Sequence, residues 1–523
     1  MTCRVLGRLA LLLLPVVVLV LVGALEVASA LGYRTDGSAA TTFATSSGPK
    51  ISKLSPASGK RGSRVTITGK NFAVKRGRGY VKFGRAKCSS YKSWSAGKIV
   101  CLVPKAAAAA KCTVKVTTAK GTSSGKSYTV VVPSPTPTPT PTPDNSPWVA
   151  VSAGVGATFA LKGDGTLWAW GSNEAGELGL GDSYDGDSYD TPTQVGSASD
   201  WTAVCAGASD ATFAIKSDGT LWAWGANDDG QLGLGDSDWS DTYDTPTQVG
   251  SASDWTAVCA GYGDAFALRS DGTLWSWGWN EDGQLGLGDT TSSDAYDTPT
   301  QVGSDSDWTA LLGTGYYATF AIRSDGTVWA WSFNGSWQLG LGDFNYGDCF
   351  YVPTQVGSDT DWTDVSASYG ASDTFATKSG GTLWAWGSND GGELGLGVPY
   401  DPLTAYDSPT NVGSDSDWTA VSAGRDGDNF ATKSDGTLWA WGSNDGGELG
   451  LSDSNYADTY DTPTQVGSDG DWVAVCGDGD DATFAVKSDG TLWAWGYNGN
   501  GQLGLGDSDF SDTYDTPTQV GGP

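Results

Sequence analysis

Clustered aspartates are the first groups in this chain that could do chemistry. Asp236, Asp238, Asp241 and Asp244 stand just ahead of a Pro-Thr-Gln-Val string. An oxygen-rich loop of this kind could hold Ca2+, which takes about 6–8 oxygen ligands. The spacing lacks the D-x-[DN]-x-[DN]-G-x5-E pattern of a helix-loop-helix calcium site, so solvated acidic loops are the competing reading. Gly176-Glu-Leu-Gly-Leu-Gly supplies glycines, but no Lys-Ser/Thr follows them to cradle a phosphate. Ser217-Asp-Gly-Thr-Leu imitates part of a phosphatase D-x-D-G-T loop without its first aspartate. The chain contains no histidine, which removes Ser-His-Asp and Cys-His nucleophilic systems and every His-ligated zinc or copper site. No catalytic residue and no cofactor are expected, although a carboxylate hydrolase is not excluded by composition.

Both imitations of catalytic strings recur, and that shows what positions them. A tryptophan opens a unit at Trp148, Trp201, Trp255, Trp308, Trp362, Trp418 and Trp472, in steps of 53, 54, 53, 54, 56 and 54 residues. The second unit runs Trp201-Thr-Ala-Val-Cys-Ala-Gly, Ala211-Thr-Phe-Ala-Ile-Lys, Ser217-Asp-Gly-Thr, Leu221-Trp-Ala-Trp-Gly, Gly230-Gln-Leu-Gly-Leu-Gly-Asp and Thr245-Pro-Thr-Gln-Val-Gly. Phe213 and Ile215 share one side of a strand and Trp222 and Trp224 one side of the next. Asp218-Gly219 between them predicts a two-residue type I′ hairpin with positive φ at both positions. Gly380-Gly381 in the fifth unit implies that this place asks for conformation and not for a carboxylate. Short antiparallel strands repeated at this period predict a β-propeller, here of seven blades over 147–523. The surplus Pro517-Thr-Gln-Val-Gly521 is expected to complete the blade that Trp148 begins and so to lock the ring.

The D-G turn, W-x-W-G strand and N-x-x-G-Q-L-G loop of these units resemble the regulator-of-chromosome-condensation repeat family. The resemblance implies a seven-bladed propeller. The family's usual histidine before the strand that leads into the D-G turn is absent here, where the sequence reads Ala-Thr-Phe or Asp-Ala-Phe. Eukaryotic namesakes act as guanine-nucleotide exchange factors. That alternative needs a small GTPase, which an exported chain would not meet.

Export is expected from the first 30 residues: Arg4 and Arg8, an apolar run Leu9–Leu25, and Ala28-Ser29-Ala30 as a cleavage pattern. An uncleaved anchor, just long enough to span, is the alternative and the only expected membrane contact. Residues 31–48 read as a flexible linker. From 49 to 133, period-two strands separated by Gly/Ser turns predict a small β-sandwich. Leu54-Ser-Pro-Ala-Ser-Gly, Gly62-Ser-Arg-Val-Thr-Ile-Thr-Gly with Asn71-Phe72, Val81-Lys-Phe-Gly and Ile99-Val-Cys-Leu-Val-Pro resemble the IPT/TIG immunoglobulin-like family. The prolines of 134–146 (the string PSPTPTPTPTP begins at 133) favour a polyproline rod of about 30 Å at about 3.1 Å per residue. The fold class is therefore all-β, a propeller plus an immunoglobulin-like sandwich.

Charge divides along the same boundary. Residues 1–146 carry 22 Lys+Arg against 3 Asp+Glu, and 147–523 carry 8 against 57. A propeller of −49 repels nucleic acid. Cys88 and Cys101 are placed on neighbouring strands, and in an oxidising compartment a disulfide between them is expected. Cys205, Cys259 and Cys476 share one slot with Ser152, Leu312, Ser366 and Ser422, so it reads as a packing position whose members lie too far apart to bridge. Cys349 falls in a loop.

Most of the tryptophans belong to the repeat, so aromatic residues that break it are the candidate binding groups. These are Trp239 in an acidic loop, Trp279 in place of Ser or Ala, and Trp337 in place of a loop glycine. Phe344, Tyr346, Phe350 and Tyr351 join them in the fourth unit, with Tyr316 and Tyr317 upstream. Exposed aromatics rimmed by acid would form a recognition patch. The function expected is a secreted or cell-surface, monomeric, non-enzymatic binding protein for an extracellular protein or cell-envelope glycan. A secreted inhibitor of an enzyme is the alternative within the binding class.

Overall fold

The computed structural model describes residues 48–521 except 61–62, 89, 105–110, 131–145, 182–187, 236–241, 290–295, 315–317, 343–348, 371, 399–405, 453–458, 478–480 and 507–512. The expected signal segment, all but residue 48 of the first linker and nearly all of the proline linker lie outside the described residues. The described residues are all-β and fall into two units.

The first unit is a sandwich. One sheet orders Lys50–Ser55, Arg64–Lys70, Lys98–Leu102 and Tyr91–Trp94, and the other is built around Lys126–Val130, Lys111–Thr118 and Tyr80–Phe83. Alternation places Val65, Ile67, Ile99, Val81, Phe83, Val114 and Val116 inside, each almost fully buried. The two cysteines expected to lie on neighbouring strands lie on different sheets. Cys101 is on Lys98–Leu102, and Cys88 follows the short Ala86–Lys87 strand of the opposite sheet. Both are buried, and the Cys88 thiol donates to Leu102 O at 3.0 Å.

The second unit holds seven four-stranded antiparallel sheets, each built from one sequence unit. In blade 2 the strands are Trp201–Ala206, Ala211–Lys216, Leu221–Ala226 and Thr242–Gln248, from the innermost outward. The expected strand exchange at the seam does not occur. The C-terminal strand Thr513–Gln519 is the outer strand of blade 7, and blade 1 takes its outer strand, Ser188–Gln194, from its own unit. The ring closes with the contacts that the other interfaces use, the indole bond of Trp441 excepted, where Asn429 Nδ2 donates to the Glu393 carbonyl instead. Trp148 N donates to Gly490 O at 3.0 Å as Trp201 N does to Gly165 O at 3.1 Å. Trp170 Nε1 donates to Gln502 O, as Trp224 Nε1 does to Glu177 O one blade on. With the closing interface built like its neighbours, no special lock is required.

The repeat signature follows from these interfaces. Trp170, Trp224, Trp277, Trp331, Trp386, Trp441 and Trp495 are fully buried and wedge between blades. Gly233, at φ +68°, packs on the Trp277 indole so closely that a Cβ would come within 2.8 Å of Nε1. The D-G turn differs from a type I′ hairpin: Gly219 alone has positive φ. Asp218 Oδ1 instead accepts from Thr220 N at 3.0 Å and from Thr220 Oγ1 at 2.6 Å, and Thr220 Oγ1 accepts from Trp222 Nε1 at 2.9 Å. The aspartate is therefore a turn cap, dispensable in blade 5 but used elsewhere.

Candidate functional site

Seven of the eight basic residues of 147–523 fall at one repeat position: Lys162, Lys216, Arg269, Arg323, Lys378, Lys433 and Lys487. Each cation lies between the opening tryptophan and the first tryptophan of W-x-W, 3.9–4.9 Å from both ring centres. Six of them pair with half-exposed aspartates, as Lys487 does with Asp469 and Asp471. These cations are structural. The eighth, Arg425, is not in that position.

Arg425 stands at one end of the central channel. In an antiparallel blade the first and third connections lie at one face and the D-G turn at the other. At the former face the residue after the inner strand's Ala-Gly or Ala-Ser changes from blade to blade: Val155, Ala208, Tyr262, Tyr369 and Arg425. Tyr262 of blade 3 and Tyr369 of blade 5 meet with ring centres 6.2 Å apart. Arg425 Cζ lies 5.4 Å from the Tyr369 ring centre, and Trp279 stands edge-on to Tyr262 at 6.2 Å. Val155, Ala208, Tyr369 and Arg425 line a cavity of about 250 Å3, walled deeper by Cys205, Cys259 and Cys476. The result is an asymmetric mouth on a symmetric ring, aromatic toward blades 3 and 5 and cationic at blade 6.

Buried carboxyls crowd the same sector. The position of the family's histidine is alanine in blades 1, 2, 4 and 7 but Asp264, Asp373 and Asp428 in blades 3, 5 and 6. Burial pushes Asp373 up to about 7, helped by Glu393 nearby and opposed by hydrogen bonds from Ser368 and Asn429. Burial raises Asp264 and Asp428 well above the usual range, and Glu448 to about 7. These groups bind protons more readily than cations, and the described residues contain no group of three or more ligands placed to hold a metal. Of the calcium candidates, Asp236, Asp238 and Asp241 lie outside the described residues. Asp244 sits in the outer strand of blade 2, where its carbonyl accepts from Gly181 N at 2.7 Å.

The expected aromatic patch is only partly assembled. Trp239, Tyr316, Tyr317, Phe344 and Tyr346 lie outside the described residues. Phe350 packs into the hydrophobic clusters on both sides of blade 4. It pairs with Ser332 as Tyr243 pairs with Gly225, so it fills the repeat's tyrosine position and is not a departure. Tyr351 replaces the aspartate of that strand and lies over Gly283 of blade 3, where an added Cβ would come within 2.2 Å of its ring. Trp279 belongs to the mouth. Trp337 is half-buried at φ 60°. Tyr262, Tyr369 and Arg425 were missed because they follow no strand period. Aligning the post-strand residues of the blades exposes them as a position with no repeat consensus. The shared Ser/Cys slot is likewise more than packing: Ser152 Oγ, Cys205 Sγ and Ser366 Oγ accept from Ala206, Ala260 and Ala423 N of the next blade at 3.0, 3.2 and 2.9 Å.

Comparison with known proteins agrees with this architecture. The model of the regulator of chromosome condensation (RCC1) repeat matches residues 164–214, 218–268, 271–322, 380–427, 435–486 and 489–523, and a second model of the repeat matches 148–177, 201–231, 255–284 and 473–502. Neither match includes 323–379, where blade 4 departs most. The IPT/TIG domain model matches 49–130. The Ultraviolet-B receptor UVR8 of Arabidopsis thaliana is 32% identical over 366 residues, covering 68% of this chain and 79% of the receptor. The human E3 ubiquitin-protein ligase HERC2 is 28% identical over 364 residues, or 67% of this chain and only 7% of the ligase. Prp20p of Saccharomyces cerevisiae superposes with a TM-score of 0.58 at 21% identity over 72% of this chain and 88% of that one. Human WBSCR16 gives 0.58 at 19% identity over 68% and 94%.

Proposed function

The chain belongs to the regulator of chromosome condensation repeat family, and on that premise we propose that it is an exported, non-enzymatic module that recognises another protein through the channel-mouth face of its ring. The observation that carries this reading is the mouth itself. A seven-fold scaffold places Tyr262, Tyr369 and Arg425 where blades 1 and 2 have Val155 and Ala208. Tyrosine and arginine supply most of the energy at protein interfaces. Relatives are described as binding proteins: yeast RCC1 (Prp20) in a complex with Kap60, and Prp20p with Gsp1p and histones. The charge of the propeller argues against nucleic acid as the partner here. The leader-like Arg4, Arg8 and Leu9–Leu25 support the exported part of this reading.

The test is affinity capture with the full chain from the organism's surface fraction and medium, at low and high salt. Tyr369→Ala with Arg425→Ala should reduce recovery of the captured protein at least tenfold while the melting curve stays unchanged. Equal recovery by wild type and the double variant removes the mouth as the site. A second double variant, Trp337→Ala with Tyr346→Ala, separates the mouth from blade 4.

A further inference from the structure

We propose that Cys205 and Cys259 are a modification site, a cross-blade dithiol in the channel wall that low-molecular-weight disulfides oxidise to a disulfide. The repeat spacing alone predicts that members of the shared Ser/Cys slot lie too far apart to bridge; those of blades 2 and 3 instead come into contact and line one solvent-connected cavity. Ala260 N donates to Cys205 Sγ at 3.2 Å. Because Ala260 N is bonded to the carbonyl carbon of Cys259, this sulfur lies two covalent bonds beyond that contact from the Cys259 Cα. The contact brings the Cys205 sulfur to the backbone beside Cys259, on the adjoining inner strand. The Cys259 thiol also hydrogen-bonds Cys205 and, with burial, raises it well above the usual thiol range, so the resting Cys205 is protonated.

The slot explains why the pair is not required for folding. Ser152, Ser366 and Ser422 hold the same inter-blade hydrogen bond with a hydroxyl. Sulfur is therefore an addition to a position that serine already fills. Blades 2 and 3 are neighbours and both carry it, whereas Cys476 in blade 7 has Ser422 and Ser152 in the adjoining slots. In the reaction one cysteine loses its proton and attacks the small disulfide, releasing one small thiol. The second cysteine then loses its proton and attacks the mixed disulfide, releasing the other. One S–S bond forms and one breaks, and two electrons pass to the small disulfide.

The experiment incubates the full chain with oxidised glutathione or with a phosphine reductant, alkylates it in denaturant, and maps a non-reduced tryptic digest. Cleavage after Lys216 separates the two cysteines. A linked Cys205–Cys259 peptide should appear only after oxidation, together with a higher unfolding midpoint. Cys205→Ser and Cys259→Ser should each fold and melt as the reduced wild type does, and lose the oxidation-dependent rise. Alkylation of both cysteines after oxidation, or glutathione carried by them to the same extent as by Cys476 with no linked peptide, overturns the proposal.

Discussion

The guanidinium carbon of Arg323 lies 3.9 Å from the centre of the Trp329 ring, with Trp308 4.4 Å away on its other side. The same arrangement recurs in every blade with lysine or arginine. It welds the innermost strand to the third through a cation that neither strand carries.

Lys433→Met tests that weld. Methionine keeps the aliphatic bulk between Trp418 and Trp439 but removes the charge, 4.6 Å from both rings, and leaves Asp415 and Asp417 unpaired. The lysine is largely buried, so its cation–π contacts are little screened, while the half-exposed aspartates add less. Urea denaturation should show a loss of about 1–3 kcal/mol. Asp415→Asn should cost less than about 1 kcal/mol.

The blades were legible in the sequence because their residues alternate with period two between Gly and D-G marks. The tryptophan spacing alone counts them. The phase of closure was not, since a surplus outer strand fits either end of a ring equally well until the sheets are seen. The cation slot was visible in principle: seven of eight basic residues recur at one repeat position. The mouth was hidden for the opposite reason. Tyr262, Tyr369 and Arg425 share a location but no type common to the repeat, and only the ring brings Tyr262 and Tyr369 together across an intervening blade.

Stability should fall as pH rises from 5 to 7.5. A carboxyl whose pKa is higher folded than unfolded holds its proton more tightly when folded. Its cost is absent below the unfolded value, about 4, and grows until pH passes the folded one. Asp373 and Glu448 are pushed up to about 7, and burial raises Asp264 and Asp428 in the same direction. Asp264→Ala installs the residue found at Ala157, Ala211, Ala318 and Ala482. Thermal unfolding should show a gain of about 1–3 kcal/mol at pH 7.5 and a smaller one at pH 5.

Blade 4 stores backbone strain that glycine would release. Ser332 has φ 97°, where six blades place glycines at 95–103°, and its buried hydroxyl has no hydrogen-bond partner. Trp337 has φ 60°, where the others have glycine at 70–84°. Ser332→Gly should stabilise the propeller by about 1–3 kcal/mol in denaturant titration. An unchanged midpoint would mean that the strand absorbs the strain elsewhere.

Cys88 and Cys101 should cross-link when the chain matures in an oxidising compartment. They face each other between the two sheets of the sandwich, so a bond would tie sheet to sheet. Burial and the Cys88 thiol hold Cys101 protonated, far above the usual thiol range, which makes spontaneous exchange slow and favours formation during folding. Trypsin separates the two at Lys92 and Lys98. A non-reduced digest of secreted protein should give one linked peptide pair, and reduction should lower the sandwich's unfolding midpoint by an amount equivalent to about 2–4 kcal/mol. Two alkylated peptides from secreted material would show instead that the pair stays reduced and only fills the core.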